Sequence, residues 1–297
     1  MKKNCVAKKP MVMFTLMLSS LLCGLVYAKQ TSNNEVDHAA VGNTAQQKTI
    51  KSAPLFLTKA RFHALHGQYG VVVAQEARAA NIGKVILQEG GNAYDAAVAT
   101  GFALMVTLPR AGALGGGGFM TIWDQQAQKA SVWDYRESAP EAVKPADFWN
   151  TDGSLNETLA KDSRLSAGVP GTVKALCKLE KEKGKLTLAE VMDPAIEMAE
   201  RGTTVTQGLA AAIQASKVTL SRDPETEAAF QVNGHWLRVG DRWKRPHLAK
   251  TLKEIRDTDG KSFYTGELAK EIADDSQRHN GKMTVTDLRD YGYDSGK

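Results

Sequence analysis

The sequence has little cysteine, too little to build a disulfide framework. Three cysteines occur in 297 residues, and two of them, Cys5 and Cys23, lie in the first 28 residues. That segment has the features of a removable leader, so Cys177 alone is expected in the mature chain. A lone cysteine excludes an internal disulfide, and we therefore expect the hydrophobic core to hold the fold.

The first 28 residues have the three parts of a secretory signal. Met1–Lys9 carries four lysines and no acid, Met11–Val26 is a short apolar run, and Val26-Tyr27-Ala28 supplies the small residues that a signal peptidase reads. We expect cleavage after Ala28 and a periplasmic or secreted protein. The alternatives are an uncleaved membrane anchor and a lipoprotein.

The sequence also lacks an excess of basic residues once that signal is removed. The whole chain carries a formal net charge of +5, and the four lysines of the signal account for all but +1 of it. Nothing in the mature chain then favours nucleic acid as a partner. We expect residues 29–52 to form a flexible polar leader and residues 53–297 to form the folded domain.

Apolar periodicity predicts mostly helices, with the strands early in the chain. Gly70–Ala74, GVVVA, is a β-branched run typical of a buried strand, and Asn92 with Asp95 three residues on predicts the capped start of a buried helix. The predicted helices cover residues 77–89, 95–107, 172–183, 186–200, 206–216, 245–256, 266–278 and 284–291, and a predicted hairpin covers 119–123 and 130–135. This pattern indicates an α+β fold or a layered α/β fold.

A run of four glycines, Gly115 to Gly118, leads into the first hairpin strand, and Arg136-Glu137 follows the second. Ordered glycines are costly in backbone entropy, but they permit close approach of the backbone to another group. Arg136 offers a planar charged fork that suits a carboxylate. The combination favours a site for a small anionic ligand, although a surface ion pair is the more common role of a strand-end arginine.

Other candidate chemistries are incomplete. The glycine run lacks the Lys-Ser/Thr of a P-loop and leads into a strand rather than a helix, which disfavours nucleotide binding. His63 and His66 have no third ligand nearby, so no metal site is expected. Cys177 lies at helical spacing from Val173 and Leu176, which predicts a buried thiol rather than a catalytic one.

Three motifs occur in a fixed order between Gly70 and Tyr291: EGGNAYDAAVATGFALMVTLPRAGALGGGGFM, DYRESAP and SAGVPGTV. Together they resemble the γ-glutamyltransferase family, whose members are also called γ-glutamyl transpeptidases or glutathione hydrolases. The resemblance implies an N-terminal-nucleophile hydrolase fold of αββα layers. It also implies a precursor that cuts itself into a large and a small subunit. The family resemblance further implies that the reaction requires neither a metal nor an organic cofactor.

The resemblance further implies an activity and a substrate-binding residue. An N-terminal threonine of the small subunit attacks the γ-glutamyl carbonyl, and water, an amino acid or a dipeptide then takes the γ-glutamyl group. Arg136 corresponds to the family's arginine that binds the α-carboxylate of γ-glutamyl compounds such as glutathione. The residues expected to support Arg136 or to pack beside it are Glu137, Gly115, Gly116, Gly117 and Gly118.

The sequence departs from the family pattern because it contains no Thr-His pair, the mark of the nucleophile. We therefore expect an incomplete αββα fold, the large-subunit portion of a truncated or split enzyme, with no catalytic residue and no activity of its own. Its partner would be the small subunit derived from the C-terminal half. The alternatives are an inactive remnant that binds γ-glutamyl ligands through Arg136, and an acylase that acts on β-lactams of the cephalosporin type.

Overall fold

The fold described here is that of a computed structural model, which describes residues 66–292 and 294–295. The predicted signal peptide, the leader, the start of the folded domain and His63 lie outside these residues. The helices are α1 (Ala77–Gln88), α2 (Ala93–Thr107), α3 (Glu157–Asp162), α4 (Thr172–Lys183), α5 (Leu188–Arg201), α6 (Gln207–Leu220), α7 (Pro224–Ala229), α8 (Pro246–Asp257), α9 (Lys261–Thr265), α10 (Glu267–Arg278) and α11 (Val285–Asp290). The strands are β1 (Phe119–Asp124), β2 (Lys129–Asp134), β3 (Thr203–Thr204), β4 (Gln231–Val232), β5 (His235–Trp236), β6 (Arg242–Trp243) and β7 (Asp294–Ser295). This mixture of helices and strands agrees with the predicted α+β class.

Helix α2 lies at the centre of the main hydrophobic core. Its N-cap is Asn92, which together with Asp95 forms the predicted capping box, and most of its residues are buried, as its nearly uncharged sequence predicts. Helices α1, α4 and α5 pack against it, and α8 packs against α5. The core therefore forms around one helix that has almost no polar face.

The β1–β2 hairpin covers one side of this core. The two strands pair antiparallel with Thr121 opposite Val132, so Ile122 and Trp133 face inward and are buried. Phe119 and Trp123 face the other way and are 61% and 55% exposed. Strand β7 adds to the free edge of β2 at Trp133. The hairpin thus carries a buried apolar face and an exposed one.

A second, smaller apolar cluster lies between α6 and the short strands β4 to β6. Its buried residues are Val205, Leu209, Ala210, Ile213, Leu237 and Trp243. Trp243 donates its indole N–H to the carbonyl oxygen of Ala229, so its polar atom is satisfied inside the cluster. This part of the chain has its own small core, and none of these buried residues belongs to the glycine loop.

The prediction of a buried strand at Gly70–Ala74 is wrong. The segment belongs to no helix or strand, and Val73 is 87% exposed. Val72 alone of its three valines packs against the core. No described strand pairs with the segment. A β-branched run becomes a strand only where a neighbouring strand accepts its backbone hydrogen bonds, and propensity alone does not provide that neighbour.

Two buried carboxyl groups, Asp95 of α2 and Glu180 of α4, are neighbours between these helices. Asp95 is fully buried, and its Oδ1 accepts backbone N–H bonds from Lys185 at 2.9 Å and Leu186 at 3.0 Å, which fastens the α4–α5 loop to the start of α2. Glu180 of α4 is 4% exposed, and neither of its carboxyl oxygens has a well-formed hydrogen bond to a described residue. Burial, followed by the neighbouring Asp95 carboxylate, raises the pKa of Glu180 to about 8.

The raised pKa of Glu180 makes the stability of the fold depend on pH. Between its ordinary pKa of 4.5 and about 8, the folded chain keeps a proton that the unfolded chain releases, so the free energy of unfolding falls as pH rises through this window. Glu180→Gln removes the ionisation. We expect the variant to exceed the parent chain in stability by about 2–4 kcal/mol at pH 9 and to differ little at pH 5, as urea unfolding at both pH values would measure.

The matched control for this experiment is Glu182→Gln, which removes an exposed carboxylate from the same helix. That variant should stay within about 0.5 kcal/mol of the parent chain at both pH values. An equal loss of stability with rising pH in the parent chain and in Glu180→Gln would show that Glu180 does not carry the effect.

Candidate functional site

The structure brings together three segments that are distant in sequence: the glycine loop, Tyr135–Ser138 after β2, and Gly168–Thr172 before α4. The carbonyl oxygen of Gly118 accepts the N–H of Tyr135 at 2.9 Å, and that of Gly116 accepts the N–H groups of both Gly171 and Thr172 at 3.0 Å. The Tyr135–Ser138 segment is in turn paired with Val169, because Ser138 and Val169 exchange backbone hydrogen bonds. Backbone hydrogen bonds therefore link the three segments directly to one another.

Two glycines make this close contact possible. A Cβ atom on Gly117 would lie 2.5 Å from the carbonyl oxygen of Tyr135 and 2.9 Å from the Cα of Arg136, and one on Gly171 would lie 2.1 Å from the same carbonyl oxygen. These separations are shorter than any non-bonded contact to carbon, so any larger residue would push the segments apart.

The other glycines of the loop are less constrained. A Cβ on Gly118 would touch the Tyr135 side chain at 3.2–3.3 Å, and one on Gly116 would come no closer than 3.4 Å to any neighbour. A Cβ on Gly115 would meet nothing within 4 Å. The steric need for glycine is therefore strongest at Gly117, and it is absent at Gly115.

Arg136 extends from the junction of these segments towards solvent. Its side chain is 60% exposed, and its Nε donates to Oε2 of Glu137 at 3.0 Å. Its guanidinium carbon lies 5.9 Å from the centre of the Phe119 ring. The two Nη groups form no hydrogen bond with the described residues, so they can donate to both oxygens of a carboxylate.

Glu137 is the residue that holds the guanidinium group in place. Burial alone would raise its pKa, but hydrogen bonds from its own backbone N–H and from Arg136, and the charge of Arg136, hold the pKa of Glu137 below its ordinary value. The carboxylate is therefore ionised at neutral pH and is paired with Arg136.

Sequence reasoning did not find the residues that anchor the backbone of Arg136. Asp134 Oδ1 accepts the N–H of Arg136 at 3.0 Å, and the hydroxyl of Tyr291 donates to the carbonyl oxygen of Arg136 at 2.8 Å. An aspartate two residues before the arginine is a local turn signal that could have indicated the first contact. Tyr291 lies 155 residues away, and no local pattern indicates it.

The structure agrees with the prediction of a buried thiol and offers no metal site in the described part of the chain. Cys177 is buried, and desolvation raises the pKa of its thiol to about 12, which keeps it protonated and unreactive. Among residues 66–292 no group of three histidine, cysteine, aspartate or glutamate side chains could hold a metal ion. None of the described helices is long and apolar enough to cross a membrane.

A cavity of about 710 Å³ lies beside α4, where Cys177 and Glu180 line it, and it does not include Arg136 or Glu137. A smaller one of about 380 Å³ reaches Gly115 and Gly168. Cavity size therefore does not identify the site in this chain. The charged fork of Arg136 and its anchors are the stronger guide to function.

Residues 79–296 match the profile of the family described as Gamma-glutamyltranspeptidase. This chain belongs to the γ-glutamyltranspeptidase family. It is 36% identical over 231 residues to the glutathione hydrolase proenzyme of Escherichia coli (strain K12), a match that covers 77% of this chain and 40% of that protein. The chain thus spans about two fifths of the length of this curated relative.

Solved structures give the same family assignment. The crystal structure of Helicobacter pylori γ-glutamyltranspeptidase aligns with a TM-score of 0.76 and 35% identity, covering 79% of this chain and 67% of that one. The cephalosporin acylase of Bacillus halodurans aligns with a TM-score of 0.69 and 29% identity, covering 83% of this chain and 46% of that one. The γ-glutamyltranspeptidase fold of this chain is therefore shared with an acylase.

The contact of Gly117 with the Arg136 segment can be tested by adding a single methyl group. Gly117→Ala should destabilise the chain by about 1–3 kcal/mol, because the new Cβ overlaps the Tyr135 carbonyl and must displace the segment. Gly115→Ala is the matched control within the same loop, since its Cβ meets open space, and it should change stability by less than about 0.5 kcal/mol. Urea unfolding measures both, and equal effects would contradict the close-contact interpretation.

Proposed function

We propose that this chain supplies the γ-glutamyl-binding portion of a γ-glutamyltransferase, also called a glutathione hydrolase. The enzyme would transfer γ-glutamyl groups from glutathione and related donors to water or to amino acid and peptide acceptors. The observation that carries the proposal is Arg136, an exposed guanidinium that Glu137 holds at Nε and whose Nη groups have no hydrogen bond to a described residue. The name of the Escherichia coli relative, a glutathione hydrolase proenzyme, supports the same substrate class.

In this proposal Arg136 binds the α-carboxylate of the γ-glutamyl group through two parallel N–H bonds. Such a pair is charge-assisted and directional, so it fixes the orientation of the donor as well as its affinity. Holding one end of the γ-glutamyl chain presents its γ-carbonyl at a constant distance from Arg136. Glu137 and the glycine loop act indirectly, because they set the position of the arginine.

We further propose that the nucleophile is a threonine of a small-subunit segment and is not a residue of this chain. Its hydroxyl oxygen would bond to the γ-carbonyl carbon while its α-amine takes the proton, and the leaving amine would depart with that proton. Water or an acceptor amine would then cleave the γ-glutamyl ester. The term proenzyme in the relative's name is consistent with a precursor that is cut into two subunits.

The αββα arrangement and export are part of the same proposal. The exposed face of the hairpin carries Phe119, Trp123 and Val132, which are 61%, 55% and 44% exposed. An apolar sheet face of this kind suits a second sheet packed on it, and the small subunit would provide that sheet. The signal-like residues 1–28 support a periplasmic or secreted location, with cleavage after Ala28.

A second candidate is a cephalosporin-type acylase, and the structural likeness to the Bacillus halodurans acylase favours it. Arg136 argues for γ-glutamyl donors, because it fits an α-carboxylate at the end of a short chain. A third candidate is an inactive protein that only binds γ-glutamyl ligands. Binding of glutathione separates the acylase from the two candidates that bind γ-glutamyl ligands. Activity with the small-subunit segment present then separates the γ-glutamyltransferase from the inactive binding protein.

Removing the guanidinium should strongly weaken binding of the donor. For Arg136→Ala we expect the affinity for glutathione to fall at least about 30-fold, because a bidentate charged contact is lost, and Arg136→Lys should recover only part of the loss. Calorimetry or saturation-transfer NMR with glutathione measures the change, with circular dichroism as the check on folding. Failure of the unmodified chain to bind glutathione would refute the assignment.

Arg238→Ala is the control for this measurement. Arg238 is an exposed arginine beyond β5, in the part of the chain that surrounds the second apolar cluster. Its removal changes the net charge by the same amount as Arg136→Ala and should leave glutathione binding unchanged. Equal losses in both variants would indicate general charge attraction instead of a specific site.

A further inference from the structure

Tyr291, which follows α11, contacts the candidate site from the far end of the described chain. It is 4% exposed, and its hydroxyl donates to the carbonyl oxygen of Arg136 at 2.8 Å. Asp134 holds the N–H of the same residue at 3.0 Å. The peptide groups on both sides of the Arg136 Cα are thus hydrogen-bonded to side chains, one of them local and the other 155 residues away.

Gly171 leaves the space through which the Tyr291 hydroxyl reaches Arg136. A Cβ atom on Gly171 would lie 2.1 Å from the Tyr291 hydroxyl oxygen and 2.1 Å from the Tyr135 carbonyl oxygen. The hydroxyl is therefore packed between the start of α4 and the backbone of the Arg136 segment. A side chain at position 171 would displace it.

A second tyrosine holds the ring of Tyr291 in place. The rings of Tyr264 and Tyr291 stack at an angle of 20°, with centroids 6.1 Å apart. The hydroxyl of Tyr264 donates to the carbonyl oxygen of Pro170 at 2.9 Å and accepts the backbone N–H of Lys174 at 3.0 Å. Tyr264 thus connects Tyr291 to the first turn of α4.

Lys174 completes the arrangement. Its ammonium group lies 5.2 Å from the centre of the Tyr264 ring and 5.7 Å from that of Tyr291, and it donates to the carbonyl oxygen of Tyr291. A cation placed over two stacked rings attracts both, which restricts their motion. The position of the Tyr291 hydroxyl is consequently set by its ring, its backbone and the gap at Gly171.

The Tyr291 hydroxyl remains a donor over the whole working range of pH. Burial, followed by the charges of Asp134 and Glu137, raises the pKa of Tyr291 to about 12. The group that faces Arg136 is therefore a neutral phenol. Its hydrogen bond to the carbonyl oxygen does not depend on a titration near neutrality.

We infer that Tyr291 is a positioning residue for γ-glutamyl recognition, acting through the main chain of Arg136; this inference rests on the function proposed above. The side chain of Arg136 is long and 60% exposed, so its terminal Nη groups are only as well placed as the backbone that carries them. Glu137 fixes the guanidinium at one nitrogen, and Tyr291 fixes the peptide from which it extends. Bidentate recognition of a carboxylate requires both.

Tyr291→Phe removes the hydroxyl and keeps the ring. We expect the affinity for glutathione to fall about 3- to 10-fold. The affinity for 4-aminobutyryl-cysteinylglycine, which is glutathione without its α-carboxylate, should not change, because that ligand lacks the carboxylate that Arg136 binds in the proposed function. In the Arg136→Ala background, Tyr291→Phe should cause no further loss of affinity for glutathione. A residue that acts only through Arg136 has no effect on binding once Arg136 is removed.

Hydrogen exchange measured by mass spectrometry reports on the anchor without any ligand. In Tyr291→Phe the amides of residues 135–138 should exchange several-fold faster than in the parent chain, because one of the contacts that close this segment is lost. Tyr94→Phe is the matched control. Tyr94 is partly buried beside the core, and its hydroxyl has no hydrogen bond to a described residue.

The outcomes separate this inference from the proposed function. Binding that requires Arg136 but is unchanged in Tyr291→Phe overturns the inference and leaves the proposed function intact. An equal loss for both ligands, or unchanged exchange at residues 135–138, also overturns it, since Tyr291 would then be only a structural residue. Failure of the parent chain to bind glutathione overturns the proposed function and this inference together.

Discussion

The candidate site depends on one close backbone contact, the approach of Gly116 and Gly117 to the segments around Arg136 and Gly171. The carbonyl oxygen of Gly116 accepts two N–H groups at the start of α4, and Gly117 lies against the backbone of Arg136 at a distance that leaves no room for a Cβ. No side chain of the loop takes part. The glycines contribute because they have no Cβ, which lets the backbones approach closely. The entropic cost of ordering them is offset by the hydrogen bonds that link the three segments.

This contact explains how an exposed arginine can be well placed. Arg136 projects into solvent, but its N–H, its carbonyl oxygen and its Nε are bound by Asp134, Tyr291 and Glu137 respectively. The helical core behind it is equally constrained, because Asp95 fastens the α4–α5 loop to α2 and Tyr264 holds the first turn of α4. A surface arginine can bind a carboxylate in a defined orientation when the surrounding structure restricts its conformations before the ligand binds.

Much of the local structure could be predicted from the sequence. The cap at Asn92, the buried helix after it, the hairpin and the long amphipathic helices all form within a few residues of their predicted bounds, since caps and apolar periodicity are local properties. The short helices α3, α7 and α9 were not predicted, because five or six residues do not establish a period, whereas the equally short α11, which Thr284 caps, was predicted. The valine run at 71–73 was misread as a strand, because strand formation requires a partner that the run itself cannot specify.

Residue types and the order of the motifs are enough to establish the chemistry available at the site and the family of the chain. Arg136, Glu137 and the glycines are specified by residue type, and the order of the three motifs identifies the family. Folding in three dimensions adds two facts that residue types do not give: which glycine is sterically required, and that Tyr291 supports the arginine from the other end of the chain. Distance along the chain explains this difference. Hydrogen bonds and steric contacts between segments that are up to 155 residues apart arise from packing, and packing leaves no periodic trace in the sequence.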